Sequence, residues 1–453
     1  MHFFREYLPF YKRNLKVAIP VMLSHLGHAT VQLADTIMVG QLGTNELAAV
    51  SFASAIFFIG SVVVLGASFG STPIIGQAYS RGKFRDVAAT FQNSILFDSL
   101  LVFFICIIMY SVSFFMDKMG QPEEVILLAV PYYRILVLSL LPFILFQVFR
   151  QFMEGIGDTK KAMYITIIAN LVNIGLNYLF IFGKLGFPAL GIIGSGIATL
   201  ISRMLMPVLY FIIFRWKSSL WRYFYFFKWN VFSARKLKLL ASVSLPIGFQ
   251  MFIETTTFSL STIMVGWFGT ISLASHQIAG TIASLTFMAV AGISSATTIR
   301  VSHQLGAGDY RSLRKAGFAS IHLVVGYSFI TAFFLVFFRH QIPLLFSDDP
   351  FVINMAGTLL IMAALFQLAD GLQIVALGSL RGMADVKHPM LFAVICYTLI
   401  NLPVGYFCGV ILDMGAVGIW VGYIFGLNVA AFLLVRRFVR ISGRQIKRHY
   451  ANA

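Results

Sequence analysis

Four carboxylates interrupt the long apolar runs of this 453-residue chain, and they are the side chains most able to do chemistry. They are Asp35, Asp98, Glu254 and Asp370, while the other acidic residues fall in polar stretches or at the ends of apolar ones. A carboxylate inside an apolar run that crosses a membrane is costly. Such a residue therefore indicates an ion site, a proton relay or a substrate path.

Polar side chains accompany three of these acids at the spacing of one helix face, three or four residues apart. The stripes are Gln250, Thr257 and Ser261 with Glu254; Ser24, His28 and Gln32 with Asp35; Gln367 and Gln373 with Asp370. Polar stripes also serve as hydrogen-bonded contacts between membrane helices. A stripe centred on a carboxylate favours the functional interpretation, whereas Asp98 has few polar neighbours and its role stays open.

Two carboxylates that meet in a medium of low dielectric constant cannot both stay ionised without a cation. If Glu254 and Asp370 converge, they hold either Na⁺ or a proton. Oxygen ligands suit a hard cation, and Gln250, Thr257 or Gln367 would complete a shell around Na⁺. The chain has no GxxxxGK[ST] motif for a nucleotide. We therefore expect Na⁺ or H⁺ coupling, with no further cofactor and no enzymatic activity.

The elements that carry these acids must be membrane helices. The chain is 58% hydrophobic and 11% charged, with a mean hydropathy of +0.85, whereas soluble domains carry about 25% charged residues. Runs of about 20 apolar residues are long enough to cross a bilayer, and in lipid their backbone must satisfy itself as helix. We predict an all-α membrane protein with twelve transmembrane helices, near 14–38, 48–74, 90–115, 127–150, 162–183, 190–214, 240–266, 274–299, 316–338, 353–379, 389–411 and 416–436.

The distribution of basic residues predicts the orientation in the membrane. Of the 34 Lys and Arg, 29 fall in the terminal segments and the even-numbered loops; Lys118, Arg134, Lys184 and Arg339 fall on the other side, and Arg203 lies within a span. The positive-inside rule then places both termini in the cytoplasm. The net charge of +17 is thus a topology signal, and we expect no nucleic-acid partner. The prediction is a multi-pass monomer in the lipid bilayer of the plasma (inner) membrane.

The chain repeats itself at half its length. Residues 35–44 read DTIMVGQLGT and residues 261–270 read STIMVGWFGT, with seven of ten positions identical at an offset of 226. The match continues at 226 and then 227, which predicts two six-helix lobes, 1–225 and 226–453, joined near 215–239. An even number of helices per lobe gives parallel repeats, as in secondary transporters. The acids do not repeat: Asp35 aligns with Ser261, and Glu254 aligns with His28.

Several segments resemble the multidrug and toxic compound extrusion (MATE) family, in its NorM-like branch, over nearly the whole chain. Among them are ADTIMVGQLG, GASFGSTPIIGQAYSRG, RQFMEGIGDTK, NLVNIGLNYLFIFG, LPIGFQMFIETTTFSLSTIMVGWFG and FQLADGLQIVALGSLRGMAD. The resemblance implies two lobes that export amphipathic organic cations by alternating access, and so antibiotic resistance, driven by Na⁺ or H⁺.

The resemblance also implies two cation or proton sites. Asp35, Asn173 and Asn177, with Ser195, would form one in the N-terminal lobe; Glu254 and Asp370 would form one in the C-terminal lobe. NorM-like members often carry a tyrosine four residues before the second acid of the C-terminal site, where this chain has Phe366. This departure weakens the expectation of Na⁺ there, although we favour Na⁺ because two carboxylates with neutral oxygens form a fuller site than a proton needs.

Three alternative functions are compatible with parts of the pattern. A MATE-type antiporter coupled to H⁺ would use the same acids, with His28 as a relay near Asp35. A lipid-linked oligosaccharide flippase has a related fold, but its cavity usually carries basic residues, whereas the central charges here are acidic. A channel would share the helices without moving cargo against its gradient.

Overall fold

The structure is a computed structural model that describes residues 2–227 and 232–451. Every regular element in these residues is helical. The α-helices are α1 His2–Gly40, α2 Thr44–Ser68, α3 Ser71–Ser80, α4 Phe84–Val112, α5 Glu123–Gly155, α6 Lys160–Phe182, α7 Gly191–Trp216, α8 Ser218–Tyr225, α9 Ala234–Gly266, α10 Thr270–Ala307, α11 Tyr310–Phe337, α12 Pro350–Gly382, α13 Lys387–Ala393, α14 Leu402–Tyr406 and α15 Gly415–Ala451. Residues 228–231, within the predicted joining segment, lie outside the described residues.

Twelve helical spans in the described chain are long and apolar enough to cross a membrane, which confirms the predicted number and fold class. The second span, Thr44–Ser80, contains α2 and α3. The eleventh, Lys387–Ile411, contains α13 and α14 with two π-helical stretches, Val394–Asn401 and Phe407–Ile411. Large apolar side chains such as Phe103 are exposed, as expected of a surface in contact with lipid.

Backbone geometry explains the glycine of the repeated motif. Gly43 precedes α2 with φ of +156°, and Gly269 precedes α10 with φ of +96°. Residues with a Cβ rarely adopt such φ angles. The two glycines occupy the same position in each half because the chain makes the same sharp turn between its first two spans.

The chain forms two compact units that divide inside helices α1 and α9. The first unit is Leu23–Gly248, and the second is Met1–Met22 with Phe249–Ala453. Each division lies two residues after a proline, Pro20 or Pro246, where the helix lacks one backbone hydrogen bond. The units differ from the predicted lobes by the exchange of residues 1–22 and 226–248. The division of the sequence repeat into the lobes 1–225 and 226–453 stays a prediction.

Within the second unit, hydrogen bonds join the start of α1 to α11. The amide nitrogen of Asn14 donates to the carbonyl oxygen of Ala316 at 3.1 Å and to the hydroxyl of Ser320 at 2.8 Å. All three groups are buried. Such polar contacts hold membrane helices together, because lipid provides no hydrophobic force for their association.

In the first unit, α5 packs against α2, α4 and α7. Arg150 and Glu154, which the sequence pattern placed beyond the end of the fourth span, lie inside α5 and are only 3% exposed. Their ion pair measures 2.7 Å. This placement corrects the predicted loop 150–161, because one helical turn between opposite charges lets them neutralise each other and the helix continues to Gly155.

In the second unit, α12 packs against α10, α11 and α15. The eleventh span approaches α15 so closely that a Cβ on Gly422 would lie 2.6 Å from the carbonyl oxygen of Asn401. Glycine is therefore required at position 422. The approach coincides with the π-helical stretch that contains Tyr397, and π-helical turns often lie at functional sites.

Candidate ion and substrate sites

The second unit brings Glu254 of α9 beside the eleventh span. The hydroxyl of Tyr397 donates to Glu254 Oε1 at 3.0 Å and accepts from Gln373 Nε2 at 2.5 Å. Asp370 of α12 lies close enough to Glu254 for their charges to interact. The structure therefore joins the two acids that the sequence pattern paired, with Tyr397 as a third oxygen.

Asp370 is 8% exposed. A buried carboxylate is costly as a bare anion, and a bound cation or proton removes that cost. Asp370 is therefore a candidate ligand for either.

Two glutamines of the same stripes have partners of their own. Gln367 Oε1 accepts from the hydroxyl of Thr331, and Gln250 Oε1 accepts from Arg381 Nη2, each at 3.1 Å. One lone pair of each amide oxygen is thus engaged, and one is left for a ligand. Thr257 and Ser261 are both buried.

Arg381 changes the charge of this site. The sequence pattern assigned it to the loop 380–388, but it lies in the last turn of α12, where it is within electrostatic reach of Glu254. Two carboxylates against one guanidinium leave one negative charge. A single monovalent cation or proton balances that charge.

Phe366 does not contribute to the group around Glu254. Its ring packs edge-on against Trp420, with 5.6 Å between the ring centres, in a buried apolar cluster. The hydroxyl that reaches Glu254 comes instead from Tyr397, which the sequence reasoning missed. The only available signal was its spacing of four residues from Asn401, another polar residue in the same apolar run.

The first unit holds Asp35 in an amide network. Asn177 donates through Nδ2 to Asp35 Oδ1 and to Asn173 Oδ1, the latter at 3.1 Å. Asn173 in turn donates to the hydroxyls of Thr199 at 3.4 Å and Ser202 at 3.3 Å. The chain of contacts runs from α1 through α6 to α7, so three of the residues implied for this site are joined directly.

A guanidinium lies beside this network. Arg203 donates to the hydroxyl of Ser139 at 2.7 Å, and its charge lies over the rings of Phe57 and Phe143 at 5.4 and 4.9 Å. It is within electrostatic reach of Asp35. The sequence analysis placed Arg203 in a span but gave it no role. Its spacing of four residues from Thr199 would have indicated that both face the same side of α7.

The other polar residues predicted or considered in the first unit lie outside this amide network. Ser195 is fully buried and lies beside the hydroxyl of Tyr132. The ring of His28 packs edge-on against Phe143 with 6.1 Å between centres, and Gln32 is exposed. Asp98 is buried, with one oxygen that lacks a partner among the residues described.

Residues 2–227 and 232–451 contain no group of three or more His, Cys, Asp or Glu side chains that could hold a metal ion. A cation at either site would therefore depend on one or two carboxylates and on neutral oxygens. This ligand set is typical of weakly bound, exchangeable hard cations rather than of a structural metal.

Twelve spans, an internal repeat and carboxylates inside the spans are features typical of membrane transporters. The chain belongs to the MatE family, whose model matches residues 20–179 and 246–407. The two matches begin 226 residues apart, at the offset of the internal repeat. The protein is therefore a multidrug efflux transporter of the MATE family.

Similar proteins cover nearly the whole chain. The probable multidrug resistance protein NorM of Bacillus subtilis is 31% identical, over 97% of both chains. The multidrug resistance protein NorM of Photobacterium profundum is 32% identical, over 94% of both. The multidrug resistance protein MdtK of Yersinia pseudotuberculosis is 31% identical, over 96% of both.

Solved structures share the fold. A MATE transporter of Vibrio cholerae superposes with a TM-score of 0.87 at 18% identity, over 96% of this chain and 98% of that one. An outward-facing multidrug resistance transporter of the MATE family gives a TM-score of 0.86 at 21% identity, over 97% of each chain. These likenesses show the twelve-helix architecture.

Proposed function

We propose that this protein exports amphipathic organic cations of drug size in exchange for Na⁺, by alternating access. The observation that carries the proposal is the group formed by Glu254, Asp370 and Tyr397, which has one negative charge in excess once Arg381 is counted. The names of the relatives, as multidrug resistance proteins, support cargo of drug size.

The charge of the second-unit site gives the exchange a physical basis. When Na⁺ occupies the pair, the site is neutral, and an organic cation gains little by remaining bound. When Na⁺ leaves, the excess negative charge attracts the next organic cation. Coupling then follows because each cation lowers the affinity for the other, and this effect is reciprocal.

Exchange for H⁺ is the second candidate. The burial of Asp370 favours it, because the uncharged acid is the form that costs least in such surroundings. Asp35 also favours it, since a single carboxylate can carry a proton without further ligands.

Transport in proteoliposomes tests the coupling ion. The purified protein is reconstituted, and export of a cationic dye is measured with an inward Na⁺ gradient or an inward H⁺ gradient, one at a time. We expect export with the Na⁺ gradient alone and none for Glu254→Gln. Export driven by the H⁺ gradient alone would overturn Na⁺ coupling, and equilibration without accumulation would indicate a channel.

A second panel tests the cargo. Lipophilic cations, neutral drugs and anionic amphiphiles of similar size are compared in the same vesicles. We expect the cations to be exported best. Preferential movement of anionic or lipid-linked sugars would favour a flippase.

We also propose that the protein is a monomer in the inner membrane. Both termini would lie in the cytoplasm, because 29 of 34 basic residues lie on that predicted side. Cysteines introduced at Lys118 and Lys184 should react with an impermeant thiol reagent added outside the cell. Labelling of these sites only from the cytoplasm would contradict the topology.

A further inference from the structure

The second unit contains a cavity of about 450 Å³ that the transport proposal does not use. It lies where the first helical turns of α1, the start of α11 and the end of α15 meet. Its lining residues are Tyr7, Arg311, Arg314, Lys315, Phe318, His322 and Ile446. The cavity is therefore distinct from the group around Glu254 and Asp370.

Three cations share one face of α11. Arg314 and Lys315 follow Arg311 by three and four residues, within the first turns of the helix. Here the helix dipole also favours an anion. Two acids lie nearby: Glu6, 2.6 Å from the Lys315 ammonium, and Asp309, which caps the helix. Among the residues described, the three cations exceed these two acids by one positive charge, which makes this wall of the cavity positive.

Aromatic contacts hold the rest of the wall in place. The Arg314 guanidinium lies over the ring of Phe318 at 5.6 Å. The His322 ring meets Tyr7 edge-on with 5.1 Å between centres, and its Nδ1 lies 3.0 Å from the hydroxyl of Tyr11. The site is thus formed before any ligand binds, which reduces the entropic cost of binding.

The internal repeat shows that the fold does not require this basic face. At the offset of 226 residues, Arg311 corresponds to Arg85, whereas Arg314 and Lys315 correspond to Ala88 and Ala89. The equivalent helix of the first unit, α4, thus folds with one of the three cations. The helix itself therefore does not require Arg314 and Lys315.

The location indicates what the cavity binds. It lies at the beginning of the apolar span Tyr310–Phe337, and therefore at the level of lipid headgroups. Arginine fits the oxygens of a phosphate with paired hydrogen bonds. A volume of about 450 Å³ exceeds what a lone phosphate ion needs and is typical of sites for small organic ligands.

We propose that this cavity binds the phosphate group of an anionic phospholipid headgroup, in the leaflet on the side where most basic residues lie. Basic pockets between membrane helices are suited to such headgroups. Tyr7 and Phe318 contact the glycerol and the first methylenes, while Arg311 and Arg314 bind the phosphate oxygens.

Native mass spectrometry of the purified protein tests the proposal, with short-chain phosphatidylglycerol as the probe and phosphatidylcholine as the neutral comparison. We expect one retained phosphatidylglycerol and about tenfold weaker retention for Arg311→Gln/Arg314→Gln, ~1.4 kcal/mol. Arg85→Gln, the repeat-related arginine of the first unit, is the matched control and should bind normally. Equal retention by the double variant and the wild type would overturn the proposal.

Further measurements separate the source of the phosphate from effects on folding. Inorganic phosphate at millimolar concentration should not displace the lipid; displacement would show that the cavity binds soluble phosphate compounds instead. Arg314→Lys keeps the charge and should retain part of the binding. Retention by Arg314→Lys equal to that of Arg314→Gln, with both variants folded by thermal melting, would contradict charge recognition.

Discussion

The two acid sites solve the problem of a carboxylate in the membrane in different ways. In the first unit Asp35 accepts a hydrogen bond from Asn177 and lies within electrostatic reach of Arg203, so its charge is already balanced. In the second unit two carboxylates share one guanidinium, and only Glu254 accepts a hydrogen bond from Tyr397. With all acids and arginines charged, the first site is therefore neutral and the second carries one negative charge in excess.

This difference assigns separate tasks to the two units. In the exchange proposed above, a site with excess negative charge would bind and release the coupling ion, because the ion supplies the missing charge. A balanced site changes its charge only when a proton binds to the acid or when the guanidinium moves away. Four predictions test the contrast.

The largest effect is expected from neutral replacements in the second unit. Glu254→Gln and Asp370→Asn should each weaken the Na⁺-triggered release of bound cationic substrate by about 100-fold, ~2.7 kcal/mol, because one carboxylate against Arg381 leaves no excess charge. Substrate release is measured by fluorescence at fixed pH.

Glu123→Gln, at the exposed first residue of the fourth span, and Asp117→Asn, between the third and fourth spans, are the controls for these two variants. They should release substrate as the wild type does. If both site variants release substrate in response to Na⁺ as the wild type does, the acid pair has a structural role only.

In the first unit, Asp35→Asn should reduce efflux by about tenfold, ~1.4 kcal/mol, and leave Na⁺-triggered release within about twofold of the wild type. The reason is that the substitution removes the charge that balances Arg203 without touching the second-unit site. The added change Arg203→Gln should restore part of the efflux, since the charges balance again. If Asp35→Asn abolishes the Na⁺-triggered release of substrate as completely as Glu254→Gln does, the two sites act as one.

A smaller effect is expected for Tyr397→Phe, which removes the hydroxyl next to Glu254 and keeps the ring. The concentration of Na⁺ needed for release should rise about fivefold, consistent with the loss of ~1 kcal/mol from one hydrogen bond. Tyr406→Phe, an exposed tyrosine in the same span, should have no effect. A lower unfolding temperature with an unchanged Na⁺ response would make Tyr397 a packing residue only.

The smallest effect is expected for Phe366→Tyr, although this change restores the residue typical of NorM-like sequences. The required Na⁺ concentration should stay within about twofold of the wild-type value, less than ~0.5 kcal/mol, because the ring packs against Trp420 and not beside Glu254. A clear gain in Na⁺ affinity would show that position 366 faces the ion during transport.

The sequence by itself determined the membrane class, the number of spans and the internal repeat. These features follow from local properties: an apolar run of sufficient length must cross the bilayer as a helix, and a duplicated segment repeats its turns at Gly43 and Gly269. The acids were recognisable for the same reason, since a carboxylate such as Asp370 stands out in an apolar run. The convergence of Glu254 and Asp370 was implied by the resemblance to the MATE family, because helical spacing within one span does not show which spans meet.

The tertiary structure alone decided which groups balance those acids. Glu254 and Tyr397 are 143 residues apart in the chain, and Asp35 and Asn177 are 142 apart; helical spacing carries no information over such distances. The roles of Arg203 and Arg381 depend on contacts between helices, which pattern analysis of a single span does not contain. The net charge of each site is therefore a property of helix packing, because the same guanidinium is a topology signal in a loop and a counter-ion inside a bundle.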